Sequence, residues 1–87
     1  MDGFRIEFSK DAYRTYKKLD LSVKKRIDRV LMMLLEGDRI DLKPIQGTED
    51  TYRIRVGSFR LLIKTIKKDN VYLVFKIGAR GDVYKNL

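Results

Sequence analysis

The sequence predicts an α+β fold: an N-terminal strand, a two-helix hairpin packed on one face of a sheet, and three antiparallel C-terminal strands that complete the sheet. Three observations predict it. Gly57-Ser58 separates two alternating segments, Tyr52 to Val56 and Phe59 to Lys67, and glycine at the first central position of a two-residue loop marks a type II′ hairpin turn. Two stretches with apolar residues at helical spacing are separated by a short break at Asp20 to Ser22. Near the N-terminus, Phe4, Ile6 and Phe8 alternate with Arg5 and Glu7, as a half-buried strand requires.

Ser9 follows that strand as an N-cap, with Asp11 in the first turn where a carboxylate complements the helix dipole. The first helix is expected over Lys10 to Leu19, with Ala12, Tyr16 and Leu19 on one face and Tyr13 beside them. Asp20 or Ser22 could cap the second helix, expected over Val23 to Glu36. There Val23, Ile27, Val30, Leu31 and Leu34 recur at helical spacing, and Gly37 stands at the C-cap. Met32, Met33 and Leu35 widen its apolar stripe. Asp38 to Asp50, with Pro44 and Gly47, reads as a loop that Ile40, Leu42 and Ile45 tack down.

The two-residue loop sets the hairpin register. Val56 is expected opposite Phe59, Arg55 opposite Arg60, Ile54 opposite Leu61 and Arg53 opposite Leu62. Tyr52, Ile54, Val56, Phe59, Leu61 and Ile63 then form one apolar face, and Arg53, Arg55 and Arg60 share the other. Directly opposed arginines repel, so stability alone would disfavour them; a row of guanidiniums suits an anion such as phosphate. The competing reading is a solvated outer face of a sheet.

Beyond the hairpin, Lys68-Asp69-Asn70 is expected as a three-residue turn that sets Lys67 opposite Val71. That parity would place Leu73, Phe75 and Ile77 on the apolar face, and Tyr72, Val74 and Lys76 with the arginines. Leu62 and Val74 would then make an apolar spot on the basic face, open to a docking partner or simply mid-sheet aliphatic surface. Gly78 ends the strand, and Arg80, Asp82, Tyr84 and Lys85 lie in a short tail with no long helix after it.

At 87 residues the chain is expected to be one domain, residues 1–87. It has no cysteine and no histidine, which excludes a disulfide scaffold, a thiolate metal site and imidazole acid–base catalysis. No signal-peptide pattern or membrane-length apolar run occurs, so a soluble cytoplasmic protein is expected. Residues 1–50 hold 11 Lys or Arg against 10 Asp or Glu, whereas residues 51–87 hold 9 against 2. The net charge of +8 therefore belongs to the C-terminal part and points to a polyanion, nucleic acid or acidic protein.

No Gly-rich phosphate loop is present. Asp41, Glu49, Asp50 and Asp82 make no recognisable metal-binding cluster, and the basic surroundings disfavour recruiting Mg²⁺. What remains is a set of arginines, Lys76 and tyrosines that can bind a phosphate backbone, stabilise the charge of a phosphorane and offer a phenol as base.

Two motifs carry a family resemblance. Tyr52 to Arg60, read as Tyr-Arg-Ile-Arg-Val-Gly-x-aromatic-Arg, and Lys76-Ile77-Gly78-Ala79-Arg80-Gly81-Asp82-Val83-Tyr84 resemble the signatures of the RelE/ParE superfamily of toxin–antitoxin toxins, closest to the RelE-type mRNA interferases. The order of elements along the whole chain agrees. The resemblance implies a RelE-like fold and a ribosome-dependent mRNA endonuclease that uses no metal or other cofactor and is silenced by a cognate RelB-like antitoxin. It also implies five catalytic positions: Arg53, Arg55, Arg60, Arg80 and Tyr84. By analogy, Arg53, Arg55 and Arg60 orient the phosphate and stabilise its charge, Tyr84 is the candidate base and Arg80 steadies the leaving 5′-oxygen; Lys76 joins the arginines in RNA binding. This chain departs from the pattern at four positions. Arginine stands at 53 and 55 where lysine is frequent, Phe59 where tyrosine is frequent and Ala79 where histidine is often found.

Two other functions fit the same residues. A ParE-like toxin would share the fold and the hairpin signature but inhibit DNA gyrase by binding, without needing Arg80 or Tyr84. An RNA-binding module without activity would leave Tyr84 as a packed aromatic. Tyr13, Tyr16, Tyr52 and Tyr72 read as structural, and Arg5, Lys24, Lys25, Arg26 and Arg29 as solvated surface, the helical ones within reach of ribosomal RNA.

Overall fold

The alternation at the N-terminus forms β1 (Arg5–Phe8), and Ser9 turns the chain into α1 (Lys10–Lys17). The computed structural model describes residues 3–79. Ser9 caps α1 as expected: its Oγ accepts from the Ala12 N–H at 3.1 Å, and its own N–H donates to the Val74 carbonyl at 2.9 Å. The cap thereby ties the helix start to a distant strand. α1 stops at Lys17, two residues short of the expected Leu19. α2 (Leu21–Glu36) starts two residues earlier than expected, with Asp20 at its N-cap position. Gly37 ends α2 in the left-handed region at φ 78°, a conformation that costs an L-residue with a side chain roughly 1–2 kcal/mol.

The sheet has five strands. β2 (Leu42–Pro44), β3 (Thr51–Val56), β4 (Phe59–Ile66) and β5 (Val71–Ala79) pair antiparallel in sequence, and β1 joins β5 in parallel, giving the order β1-β5-β4-β3-β2. The hairpin register is the expected one at all four positions, with Val56 opposite Phe59 and Arg55 opposite Arg60. Gly57 takes φ 60° and Ser58 does not have positive φ, the pattern of a type II′ turn.

Two expectations are corrected. The segment 38–50 is not wholly loop: Leu42–Pro44 is an edge strand on β3, with Leu42 opposite Ile54, Lys43 opposite Arg53 and Pro44 opposite Tyr52. Proline is tolerated there because an edge strand need not donate outward. The second correction concerns the turn into β5, which holds four residues, not three. A 3₁₀ turn at Lys67–Asp69 is closed by Asn70 in the left-handed region at φ 56°, so Ile66, not Lys67, faces Val71. Asparagine accepts that conformation more readily than most residues, which lets the longer loop close.

The extra loop residue inverts the first half of β5. Tyr72 and Val74 face the helices, and Leu73 points to the arginine side, opposite Lys64. A bulge then intervenes: Ile63 pairs with Val74 and Leu62 with Lys76, leaving Phe75 without a partner on β4. One added residue restores the expected facing from there on, with Lys76 on the arginine side and Ile77 on the apolar side.

The core lies between the helices and the apolar face. Ala12, Ile27 and Leu31 pack against Ile54, Val56, Leu61, Ile63, Val74 and Ile77. Fully burying a side chain of this size contributes about 1.5–3 kcal/mol relative to exposure. Val74, expected on the polar face, is completely buried here. No helix among the described residues is long and apolar enough to cross a membrane.

Candidate phosphate-binding face

The face opposite the helices is built in rows across the strands. Lys43, Arg53, Leu62 and Lys76 stand in register on β2, β3, β4 and β5; one step towards the hairpin turn, Arg55 and Arg60 stand opposite each other with Gly78 beyond. At ~4.8 Å between strands, the first row spans about 14 Å, and the second lies roughly 7 Å along the strands. Five cations therefore lie within a patch about the size of a short stretch of nucleic acid backbone. Arg55 and Arg60, with Gly57 and Ser58 at the turn, line an open groove of about 280 Å³.

The members of this face differ in exposure, and that decides what each can do. Arg55 is half exposed and Arg60 partly so, placing their guanidiniums at the surface. Arg53 is 8% exposed. Its Nη2 donates to Asp41 Oδ1 at 3.4 Å, and its Nη1 is buried with no hydrogen-bond partner among the described residues. A buried donor left unpaired costs about 1–3 kcal/mol, more for a charged group, so such an atom calls for an explanation. Asp41 Oδ2 lies 3.7 Å from Arg55 Nε, so one carboxylate serves both arginines. Leu62 does lie on this face, as expected, and is fully buried between Arg53 and Lys76 in its row.

Of the expected site residues, the structure brings Arg53, Arg55, Arg60 and Lys76 to one face; Arg80 and Tyr84 lie outside the described residues. Asp41, Lys43 and Lys64 share the face and were missed. The signal for the first two was Ile40-Asp41-Leu42-Lys43, whose apolar–charged alternation continues the β pattern into the segment read as loop. Among the described residues, no three His, Cys, Asp or Glu side chains group as a metal ligand set.

The tyrosines expected to be structural sit on the other side. Tyr72 stacks on Phe4 with ring centroids 4.7 Å apart and packs against the core. Tyr16 touches Phe8 at 5.2 Å, and its hydroxyl donates to Asp28 Oδ1 at 2.7 Å. That bond holds the proton on the phenol, with desolvation adding to it, and pushes the Tyr16 pKa up to about 12. Tyr16 thus stays a neutral phenol near neutral pH.

Comparison with known proteins agrees with this architecture. The mRNA interferase toxin RelE of Escherichia coli is 29% identical over 86 residues, covering 94% of this chain and 90% of the relative. The crystal structure of the isolated E. coli RelE toxin superposes with a TM-score of 0.78 at 27% identity, covering 93% of this chain and 90% of that one. The toxin of the intact E. coli RelBE toxin–antitoxin complex superposes with a TM-score of 0.76 at 26% identity, covering 87% and 95%. The family model for the ParE toxin of type II toxin–antitoxin systems matches residues 4–84. With the fold, the hairpin signature and nearly the full length in agreement, the chain belongs to the ParE toxin family of the RelE/ParE superfamily, close to RelE.

Proposed function

We propose that this toxin is an mRNA interferase, an endoribonuclease that cuts mRNA on the ribosome and so stops translation. The observation that carries the reading is the buried, unpartnered Nη1 of Arg53 within a row of cations that Arg55, Arg60 and Lys76 complete. A phosphate oxygen supplies the acceptor which that nitrogen lacks, and a developing dianion gains more from fixed donors than the ground state does.

In the proposed reaction the 2′-oxygen of the nucleotide before the cut attacks the adjacent phosphorus. A bond from the 2′-oxygen to phosphorus forms, the bond to the 5′-oxygen breaks, and the products are a 2′,3′-cyclic phosphate and a 5′-hydroxyl. Arg53, Arg55 and Arg60 orient the phosphate and neutralise the charge it gains; Lys76 holds the neighbouring backbone. The arginines cannot serve as bases because guanidinium does not release its proton near neutral pH. The 2′-hydroxyl proton is assigned to Tyr84, acting as its phenolate, and charge on the leaving oxygen to Arg80, both on the family resemblance; the 5′-oxygen takes its proton from water. A small antitoxin of the RelB kind is the proposed partner, since the similar E. coli toxin is found in a RelBE complex.

The test is a ribosome-programmed cleavage assay with mapping of the new 5′ ends. Cleavage that requires the ribosome and is lost in Arg80→Ala and Tyr84→Phe is expected; undiminished cleavage by these variants removes their assigned roles. The match to the ParE family favours a second reading, inhibition of DNA gyrase by binding. A supercoiling assay on the same preparation separates the two.

A further inference from the structure

Asp41 is the acidic side chain placed inside the basic face, and its position is doubly fixed. Its backbone carbonyl accepts from the Arg55 N–H at 3.0 Å, extending the β2–β3 ladder one step past Leu42. Its carboxylate divides between two guanidiniums, with Oδ1 3.4 Å from Arg53 Nη2 and Oδ2 3.7 Å from Arg55 Nε. The Arg53 side chain is 10% exposed, whereas Asp41 and Arg55 are about half exposed.

A guanidinium removed from water needs a counter-ion, or it swings out towards solvent. Asp41 supplies one while occupying a single nitrogen of Arg53, so Nη1 stays buried without a partner among the described residues. The same carboxylate offsets repulsion between Arg53 and Arg55, which are two residues apart on one side of β3 and so point the same way.

We propose that Asp41 is a positioning residue: its carboxylate keeps Arg53 folded against the sheet, with the unpaired Nη1 held within the row of cations, and holds Arg55 aligned beside it. This rests on the RNA-cleaving reading of the same face. The proposal sets two effects against each other. Removing Asp41 takes a negative charge out of a polyanion site, which strengthens long-range attraction for RNA. It also releases Arg53 from the geometry that the transition state needs, and misplacement by about 1 Å costs up to about a hundredfold in rate.

The experiment compares the full chain with Asp41→Asn and Asp41→Glu. It measures kcat and KM for mRNA on the ribosome, affinity for an RNA made uncleavable by 2′-deoxy substitution, and the ¹⁵N guanidinium spectrum of Arg53 titrated with inorganic phosphate. Asp41→Asn is expected to lower kcat about tenfold or more, with KM and uncleavable-RNA affinity unchanged or tighter. Asp41→Glu, which keeps the charge, is expected to recover part of kcat. Unchanged kcat in both variants, a rise in KM with kcat intact, or Glu no better than Asn overturns the proposal. Should the wild-type chain cleave nothing, the nuclease reading fails by itself and the spectrum decides: an Arg53 signal that phosphate shifts in the wild type and in Asp41→Glu but not in Asp41→Asn supports the positioning role, and equal shifts in all three overturn it. Should Asp41→Asn not fold, Asp41→Glu carries the test, with kcat between one-half and one-hundredth of wild type expected at unchanged affinity; wild-type kcat overturns the proposal.

Discussion

Arg55 and Arg60 face each other directly across the β3–β4 ladder, two cations at a position where an opposite charge or an apolar pair would hold the strands together better. Asp41 reaches Arg55, and Arg60 has no ion-pair partner among the described residues. The pair is therefore a stability cost retained at the surface of the groove that the two arginines line.

Replacing Arg60 with Gln is expected to leave stability unchanged or to raise it by about 0.2–1 kcal/mol at low salt, because the cross-strand repulsion is removed. The gain should shrink as added salt screens the pair. Cleavage, in contrast, is expected to fall roughly 10²–10³-fold, as for loss of a preorganised donor. Urea denaturation at two ionic strengths, set beside the ribosome assay, checks both halves.

Arg53 makes the same point from a buried position. Arg53→Met keeps the side-chain volume roughly constant and removes a buried charge whose Nη1 has no partner among the described residues. Its stability is expected to stay level or rise by about 1–2 kcal/mol, since a desolvated cation is exchanged for apolar contacts and the half-exposed Asp41 left behind is solvated by water. Cleavage is expected to be lost. Thermal unfolding and the cleavage assay measure the two outcomes; a variant destabilised by several kcal/mol would mean that Arg53 is there to support the fold.

The Tyr16–Asp28 bond gives a pH dependence of known sign. The folded protein holds the Tyr16 proton up to a pKa of about 12, above the ordinary tyrosine value of 10.0. Between those values the folded state binds more protons than the unfolded state, so the bond's contribution is full below pH 10 and disappears as pH rises towards 12. Tyr16→Phe is expected to cost about 0.5–1 kcal/mol at neutral pH, as for a partly exposed hydrogen bond. The difference from wild type should close across pH 10 to 12. Denaturation curves at stepped pH, with ultraviolet titration of phenolate, measure it.

The four-residue turn before β5 decides which of two neighbouring residues enters the core. Val74 is completely buried on the helix side, whereas Leu73 lies on the arginine side and is partly exposed. Val74→Ala is expected to cost about 2 kcal/mol and Leu73→Ala less than about 1 kcal/mol, although leucine loses more atoms. Chemical denaturation of the two variants measures the order; the reverse order would mean that the strand has the opposite facing.

Much of this protein was legible in its residues because the deciding interactions are local. A two-residue loop with glycine first has one register, so the placing of Arg53, Arg55 and Arg60 together followed from Gly57 and Ser58 alone. The Ser9 cap, the Gly37 helix end and the helical spacing of Ile27, Leu31 and Leu34 are likewise short-range signals. The facing of β5 was not of this kind. Its turn closed with four residues because Asn70 adopts a left-handed conformation, and its bulge let Val74 and Ile77 both enter the core while Lys76 stayed outside. That outcome depends on what the helices present to the strand, which no window of sequence contains. Asp41 and Arg53 are twelve positions apart, and only pairing of the edge strand β2 with β3 brings the carboxylate to a buried guanidinium. Composition and turn chemistry determined which cations share a face; long-range packing decided which of them is buried, which carboxylate holds it, and which nitrogen has no partner among the described residues.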